Sequence, residues 1–157
     1  MYLAIGTCPD IAYSVQCLAQ FMQNQKPIHW TAVKRIFQYL KGMRTLGLTY
    51  GGSEDLNNKE LNIYCDADWA SDVDRKFISG YMITLVGGAM AWSSKKQSTV
   101  ALSTAKAEYV AATYCAKQVI WHRSLLNEVG IPLPSTLTIF LDNQATVSIA
   151  HHPEHHA

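Results

Sequence analysis

Three carboxylates in this chain stand where sites are commonly built. Asp66 closes the apolar run Ile63-Tyr64-Cys65, and Asp142 closes Thr138-Ile139-Phe140-Leu141. Both runs read as strands, and in α/β folds the carboxyl ends of strands are where sites assemble. Glu108 lies on a long helical pattern with Ala112, Cys115 and Val119 at offsets of four, seven and eleven, a small apolar stripe that faces a sheet. A carboxylate on a buried face has to be paired, protonated or bound to a cation. Lys106, two positions away, points elsewhere on the helix. If the three acids converge, their hard oxygen donors suit Mg²⁺ or Mn²⁺. Two such ions about 3.5–4 Å apart activate water and stabilise a leaving oxygen in phosphodiester cleavage. The pattern leaves plainer readings open at this point. Asp142 also fits the N-cap of a following helix, and Glu108 also fits a solvated position at the sheet rim.

These acids need elements to hold them. Pro9 opens a first helix with Ile11, Val15, Leu18 and Met22 at helical spacing. Asn24-Gln25-Lys26-Pro27 breaks it, and a second helix follows with Val33, Ile36, Phe37 and Leu40 as its stripe and Gly42 as its cap. This is a helical hairpin, assigned with the short strand-like run Leu46 to Tyr50 to a unit of residues 1–52. The Gly, Ser, Asp and Asn residues of 51–58 read as a linker. A second unit, 60–157, follows in the order β, β, β, long α, β, α. Its strands are Leu61 to Asp66, Ser79 to Val86 and Ala89 to Ser94, with Gly87-Gly88 as the hairpin turn. The long helix opens at Ser103 or Thr104 and runs to about Val129, where Gly130 and Pro132 stop it. Leu137 to Leu141 is a short buried strand, and a last helix begins near Asn143. The fold class is therefore α+β, with a helical hairpin ahead of a mixed sheet and a long helix.

Composition narrows the functions. The chain has 157 residues, 48% hydrophobic and 16% charged, with 13 Lys and Arg against 12 Asp and Glu. That charge share is below the roughly 25% of ordinary domains, which excludes a disordered chain. A net charge of +1 excludes a histone-like binder but not a local basic patch. No apolar run reaches the roughly 18 residues of a membrane span, so no membrane partner is expected. The start lacks a basic segment and is too short for a signal peptide. The four cysteines form no CxxC pair and read as reduced thiols. The expected location is intracellular, cytoplasmic or nuclear, and not secreted.

Longer motifs carry a resemblance. Tyr64-Cys65-Asp66-Ala67-Asp68-Trp69-Ala70, Asp74-Arg75-Lys76, Ser79-Gly80-Tyr81, the stretch from Trp92 to Ala111, and Leu141-Asp142-Asn143-Gln144-Ala145 resemble the ribonuclease H domain of copia-type retrotransposon Pol polyproteins. The opening Met1 to Tyr13, His29 to Ile36 and Tyr39-Leu40-Lys41-Gly42 resemble the thumb and connection segment that follows the reverse transcriptase core. The resemblance implies a ribonuclease H-like fold of three antiparallel and two parallel strands with a long helix. It implies cleavage of the RNA strand of an RNA–DNA hybrid with two ions, Mg²⁺ or Mn²⁺. Carried over by position, Asp66 bridges both ions, Glu108 holds one, and Asp142 holds one and helps position the attacking water. Gln144 reaches the hybrid near its minor groove, and Ser103 and Thr104 read the RNA strand, whose 2′-hydroxyls distinguish it. The implied partners are the hybrid and the remainder of the polyprotein with its reverse transcriptase.

The family's fourth metal-binding aspartate, its final parallel strand and its last helix lie beyond the match, so a chain truncated at both ends and weakened in activity is expected. Lys106 stands where the family has a glutamate that completes a capping box with Ser103. A second reading, of another class, is a catalytically dead retrotransposon remnant acting at most as a nucleic-acid-binding or interaction module. It differs in binding a hybrid without cutting it. Lys95 and Lys96, placed between a strand and the long helix, suit phosphate contacts or an ordinary solvated turn. Asp68, Asp72 and Asp74 read as loop acids. His151, His152, His155 and His156 read as a frayed terminus, and Trp30, Trp69, Trp92 and Trp121 as packing residues.

Overall fold

A computed structural model describes residues 1–51, 61–69 and 76–152. The chain divides into two compact units, Met1–Thr49 and Tyr50–Ala157. The expected linker acids and amides of 53–58, Asp72, Asp74, His155 and His156 lie outside the described residues. Among the described residues no helix is long and apolar enough to cross a membrane.

In the first unit α1 spans Tyr2–Gly6, a 3₁₀ turn spans Pro9–Ile11, α2 spans Ala12–Ala19 and α3 spans Pro27–Gly42. Pro9 starts the 3₁₀ turn and Pro27 starts α3, each where a missing N–H costs no helical bond. The backbone N–H of Lys26 donates to Nδ1 of His29 at 3.1 Å, and the Tyr39 hydroxyl donates to Asp10. Four expectations change here. Gly42 lies inside α3, whose C-cap is Met43. The first helix is split and ends at Ala19, leaving Met22 exposed beyond it. Phe37 is 64% exposed, off the half-buried stripe of Val33, Ile36 and Leu40. Leu46 to Tyr50 forms no strand with the described residues, and the Leu46 N–H turns back to Met43 O.

The second unit is an α+β layer pair. Its strands are β1 (Leu61–Trp69), β2 (Phe77–Leu85), β3 (Gly88–Lys96) and β4 (Ile139–Phe140), with α4 (Thr104–Glu128) and α5 (Gln144–His151). The sheet order is β3-β2-β1-β4, and only β4 runs parallel to its neighbour β1. Alternation on β1 buries Leu61, Ile63, Cys65 and Ala67. Ile63, Ile83 and Cys115 of the larger cluster are fully buried, as is Phe77 beside Ala107 and Ala111. Each large side chain of this kind contributes about 1.5–3 kcal/mol. All four cysteines are free thiols. The hydrogen bond between Cys65 and Cys115, together with burial, holds the Cys65 thiol well above its ordinary range, so it packs as an uncharged group.

Local rules explain the ends of these elements. Ser103 caps α4, its hydroxyl accepting from the Lys106 N–H at 3.2 Å. At the other end the Ile131 N–H donates to Leu126 O and the Gly130 N–H to Asn127 O, with Gly130 at φ +80. This pair of bonds is a Schellman stop, and its left-handed residue is a glycine at no steric cost. The β2–β3 turn is displaced by one residue from the expected Gly87-Gly88. Gly88 pairs with Leu85, so the two turn residues are Val86 and Gly87, both at positive φ (50 and 77). A two-residue hairpin of this type needs positive φ at both positions, which outweighs the β-branched side chain at 86. The four tryptophans also divide. Trp30 and Trp121 are largely exposed, Trp92 is half-buried, and the side chain of Trp69 lies outside the described residues.

Two stability measurements follow. Val86→Asn is expected to stabilise the protein by about 1 kcal/mol in urea unfolding, since left-handed backbone costs a β-branched residue about that much. An unchanged midpoint would show that the turn carries no strain. Lys106→Glu is expected to add about 1 kcal/mol by closing the capping box and reversing an unfavourable charge at the helix start. A loss of stability would show that the first turn of α4 does not respond to the helix dipole.

Candidate metal centre

Asp66, Glu108 and Asp142 come together, with one oxygen from each carboxylate lying within 4.8 Å of the others. Asp66 and Asp142 are exposed, and Glu108 is 8% exposed. Strand register explains the first pairing. β4 pairs Ile139 with Ile63 and Phe140 with Tyr64, so two residues further along the parallel strands Asp142 stands abreast of Asp66. Gly80 sits opposite Asp66 on β2, so no side chain crowds the carboxylate from that strand. The N–H of Ala67 donates to Asp66 Oδ1 at 2.7 Å. Glu108 reaches the same place from α4, whose buried face also holds Ala107, Ala111, Cys115, Val119 and Leu126. The solvated-rim alternative for Glu108 is thereby overturned, because its face of α4 packs against the sheet.

Glu108 is the acid whose electrostatics the site changes. Burial pushes the Glu108 carboxyl above the ordinary glutamate value. Hydrogen bonding from Asn143 pulls it down, and the charges of Asp142 and Asp66 push it up. Oε1 of Glu108 accepts from the Asn143 side-chain amide at 3.0 Å. Oε2 is buried and has no hydrogen-bond partner. The neighbouring Thr146 hydroxyl donates to Ala105 O at 3.2 Å. A buried, unpaired carboxylate oxygen costs free energy unless a proton or a cation meets it.

Asn143 joins the site in the structure, beyond the residues that the sequence marks. It, and not Asp142, is the N-cap of α5, with Oδ1 accepting from the N–H groups of Ala145 and Thr146 at 2.9 and 3.2 Å. Asp142 is thus free of the capping role that its position allowed. The signal was available, since Asn is as good an N-cap as Asp and directly precedes the helix. Gln97 is a second such residue. Its buried amide donates to Ser79 Oγ at 2.9 Å and to Ala107 O at 2.8 Å, tying β2 to the turn of α4 that carries Glu108. No pattern in the sequence marks it, since the contact spans two elements.

The remaining expected residues lie at varied distances from the acids. Gln144 is exposed at the start of α5, two positions after Asp142. Ser103 and Thr104 are exposed at the start of α4, Thr104 one helical turn before Glu108. Lys95 and Lys96 belong to β3 itself and not to a loop after it, because pairing with Ser79 and Ile78 extends the strand. They stand two strands away from β1 and are not brought to the acids. Asp68 likewise lies on β1 and not in a loop.

Comparison with known proteins agrees with a mobile-element origin. The chain is 40% identical over its whole length to the retrovirus-related Pol polyprotein from transposon TNT 1-94 of Nicotiana tabacum, covering 12% of that polyprotein. It is 37% identical over 99% of its length to the corresponding polyprotein from transposon RE2 of Arabidopsis thaliana, covering 10% of it. It is 43% identical over 122 residues to the secreted RxLR effector protein 161 of Plasmopara viticola, a match to 77% of this chain and 84% of that protein. No family model and no solved structure matches it. With identity of this level running from end to end, the chain is similar to a segment of retrovirus-related Pol polyproteins from transposons, and it spans about a tenth of their length.

Proposed function

We propose that the unit Tyr50–Ala157 carries a ribonuclease H-type centre that cleaves the RNA strand of RNA–DNA hybrids with two divalent ions, Mg²⁺ or Mn²⁺. The observation that carries this reading is the meeting of Asp66, Glu108 and Asp142 within 4.8 Å, with Glu108 Oε2 buried and unpartnered. An all-carboxylate donor set fits hard cations of this class, and the mutual repulsion of three acids is relieved by them. Such ions, when bound, supply Lewis-acid charge for phosphodiester hydrolysis. Asp66 and Asp142 are open to solvent and can face a phosphate, while Glu108 forms the floor. Gln144, Ser103 and Thr104 are exposed at the starts of α5 and α4, open to a nucleic acid in this reading. The Ser103 hydroxyl accepts from the Lys106 N–H and still has its own proton to give to a sugar hydroxyl. Lys95 and Lys96 suit phosphate contacts further along a duplex.

The mixed sheet with its long helix is compatible with a ribonuclease H-like fold. In this reading the unit Met1–Thr49 is the thumb and connection segment of a copia-type reverse transcriptase. The partners are the hybrid and the rest of the Pol polyprotein, and the site of action is intracellular.

The direct test incubates purified protein with a labelled RNA–DNA hybrid and Mg²⁺ or Mn²⁺. The expected result is cutting of the RNA strand, lost in Asp66→Asn. Folded protein that binds the hybrid without cutting it would support the non-catalytic module instead. Titration supplies a second test. A carboxyl raised by burial contributes stability that is present below the ordinary glutamate pKa and is lost as pH rises through its folded value. Metal-free Glu108→Gln is therefore expected to match the parent near pH 4 and to exceed it in urea stability at about pH 7, where the buried charge is gone. Added Mn²⁺ is expected to stabilise the parent and not the variant. Equal responses to Mn²⁺ would count against Glu108 as a ligand.

A further inference from the structure

We infer that Asn143 is a positioning residue that decides which oxygen of Glu108 is offered to a cation. The inference rests on the metal-binding reading above. The Asn143 side chain has two ends, and both are committed. Its Oδ1 accepts from the N–H groups of Ala145 and Thr146, which fixes the side chain on the first turn of α5. Its Nδ2 then donates to Glu108 Oε1 at 3.0 Å, across 35 positions of sequence. An amide held at one end cannot swing, so its other end defines the position of Oε1. With Oε1 occupied, Oε2 is the oxygen left buried without a partner. The carboxylate torsion of a glutamate is otherwise broad and roughly two-fold, so without this bond the two oxygens exchange and turn.

The arrangement also ties the two helices that flank the acids. Thr146, fully buried on the same first turn of α5, donates to Ala105 O of α4, so α5 grips α4 one turn before Glu108. Asp142 immediately precedes Asn143 and moves with it. One side chain therefore sets Glu108 directly and Asp142 through the backbone, while capping its own helix. An aspartate at 143 would cap equally well but has no donor and would set a fourth negative charge against Glu108. Asparagine is the residue type that both caps α5 and donates to a carboxylate.

Asn143→Ser separates the roles. Serine is an equivalent N-cap, but its hydroxyl is too short to span from the α5 turn to Glu108. The measurement is a calorimetric titration of purified parent and variant with Mn²⁺, beside thermal unfolding without metal. The expected result is an unfolding temperature within about 2 °C of the parent. It is paired with Mn²⁺ affinity weaker on the order of 10-fold, as for other partners that orient a ligand. In a Glu108→Gln background the Ser substitution is expected to change Mn²⁺ affinity no further. Mn²⁺ binding by the variant equal to that of a binding-competent parent would overturn the inference and leave the metal site standing. Absence of Mn²⁺ binding by the folded parent would overturn the metal reading itself, and the positioning role with it. If Asn143→Ser unfolds, Asn143→Thr, an uncharged N-cap, takes its place under the same criteria, with the metal-free unfolding temperature again the control for capping.

Discussion

Ala107, Ala111 and Cys115 are small, and they are buried at the seam where α4 meets β1 and β2. Small side chains at a helix–sheet seam let the helix approach closely, and close approach is what carries Glu108 to the strand end where Asp66 stands. Bulkier residues at these three positions would lift the helix and separate the acids. The Cys65 and Cys115 thiols meet within the same seam, where this contact and burial keep Cys65 uncharged. The acidic cluster is thus a consequence of core packing, and its geometry is as rigid as that core.

The same seam creates the cost that the site has to meet. Burial raises the free energy of the ionised Glu108, and the charges of Asp142 and Asp66 raise it further. Asn143 offsets part of this through one charge-assisted bond to Oε1 and leaves Oε2 unmet. The structure tolerates this because neighbouring contacts over-determine it. Gln97 holds the first turns of α4 to β2, and Thr146 holds α5 to α4. An unsatisfied group at a well-anchored position is the pattern expected where function, and not stability, selects the residue.

Much of the fold was legible in the sequence because local rules govern it. The Schellman stop at Gly130, the Ser103 cap and the alternation of Leu61, Ile63, Cys65 and Ala67 each follow from residues close together in the chain. Errors fell where a local pattern had two solutions. Gly87-Gly88 looked like the turn, yet strand register placed it at Val86-Gly87. Leu46 to Tyr50 has the composition of a strand but pairs with no described strand. Lys95 and Lys96 looked like loop residues, but the β2–β3 ladder extends through them.

What the sequence by itself determined was the set of elements and the acid at a particular place on each: Asp66 on a strand, Glu108 on the buried stripe of a helix, Asp142 after a second strand. Periodicity and capping act over a few residues, so they can be read without knowing the partners. Only the tertiary structure decided that these acids meet. Their meeting depends on the parallel register of β4 on β1, on the small-residue seam under α4, and on an asparagine bond spanning 35 positions. Those are non-local pairings, set by which surfaces bury each other, and no window of sequence contains both sides of them.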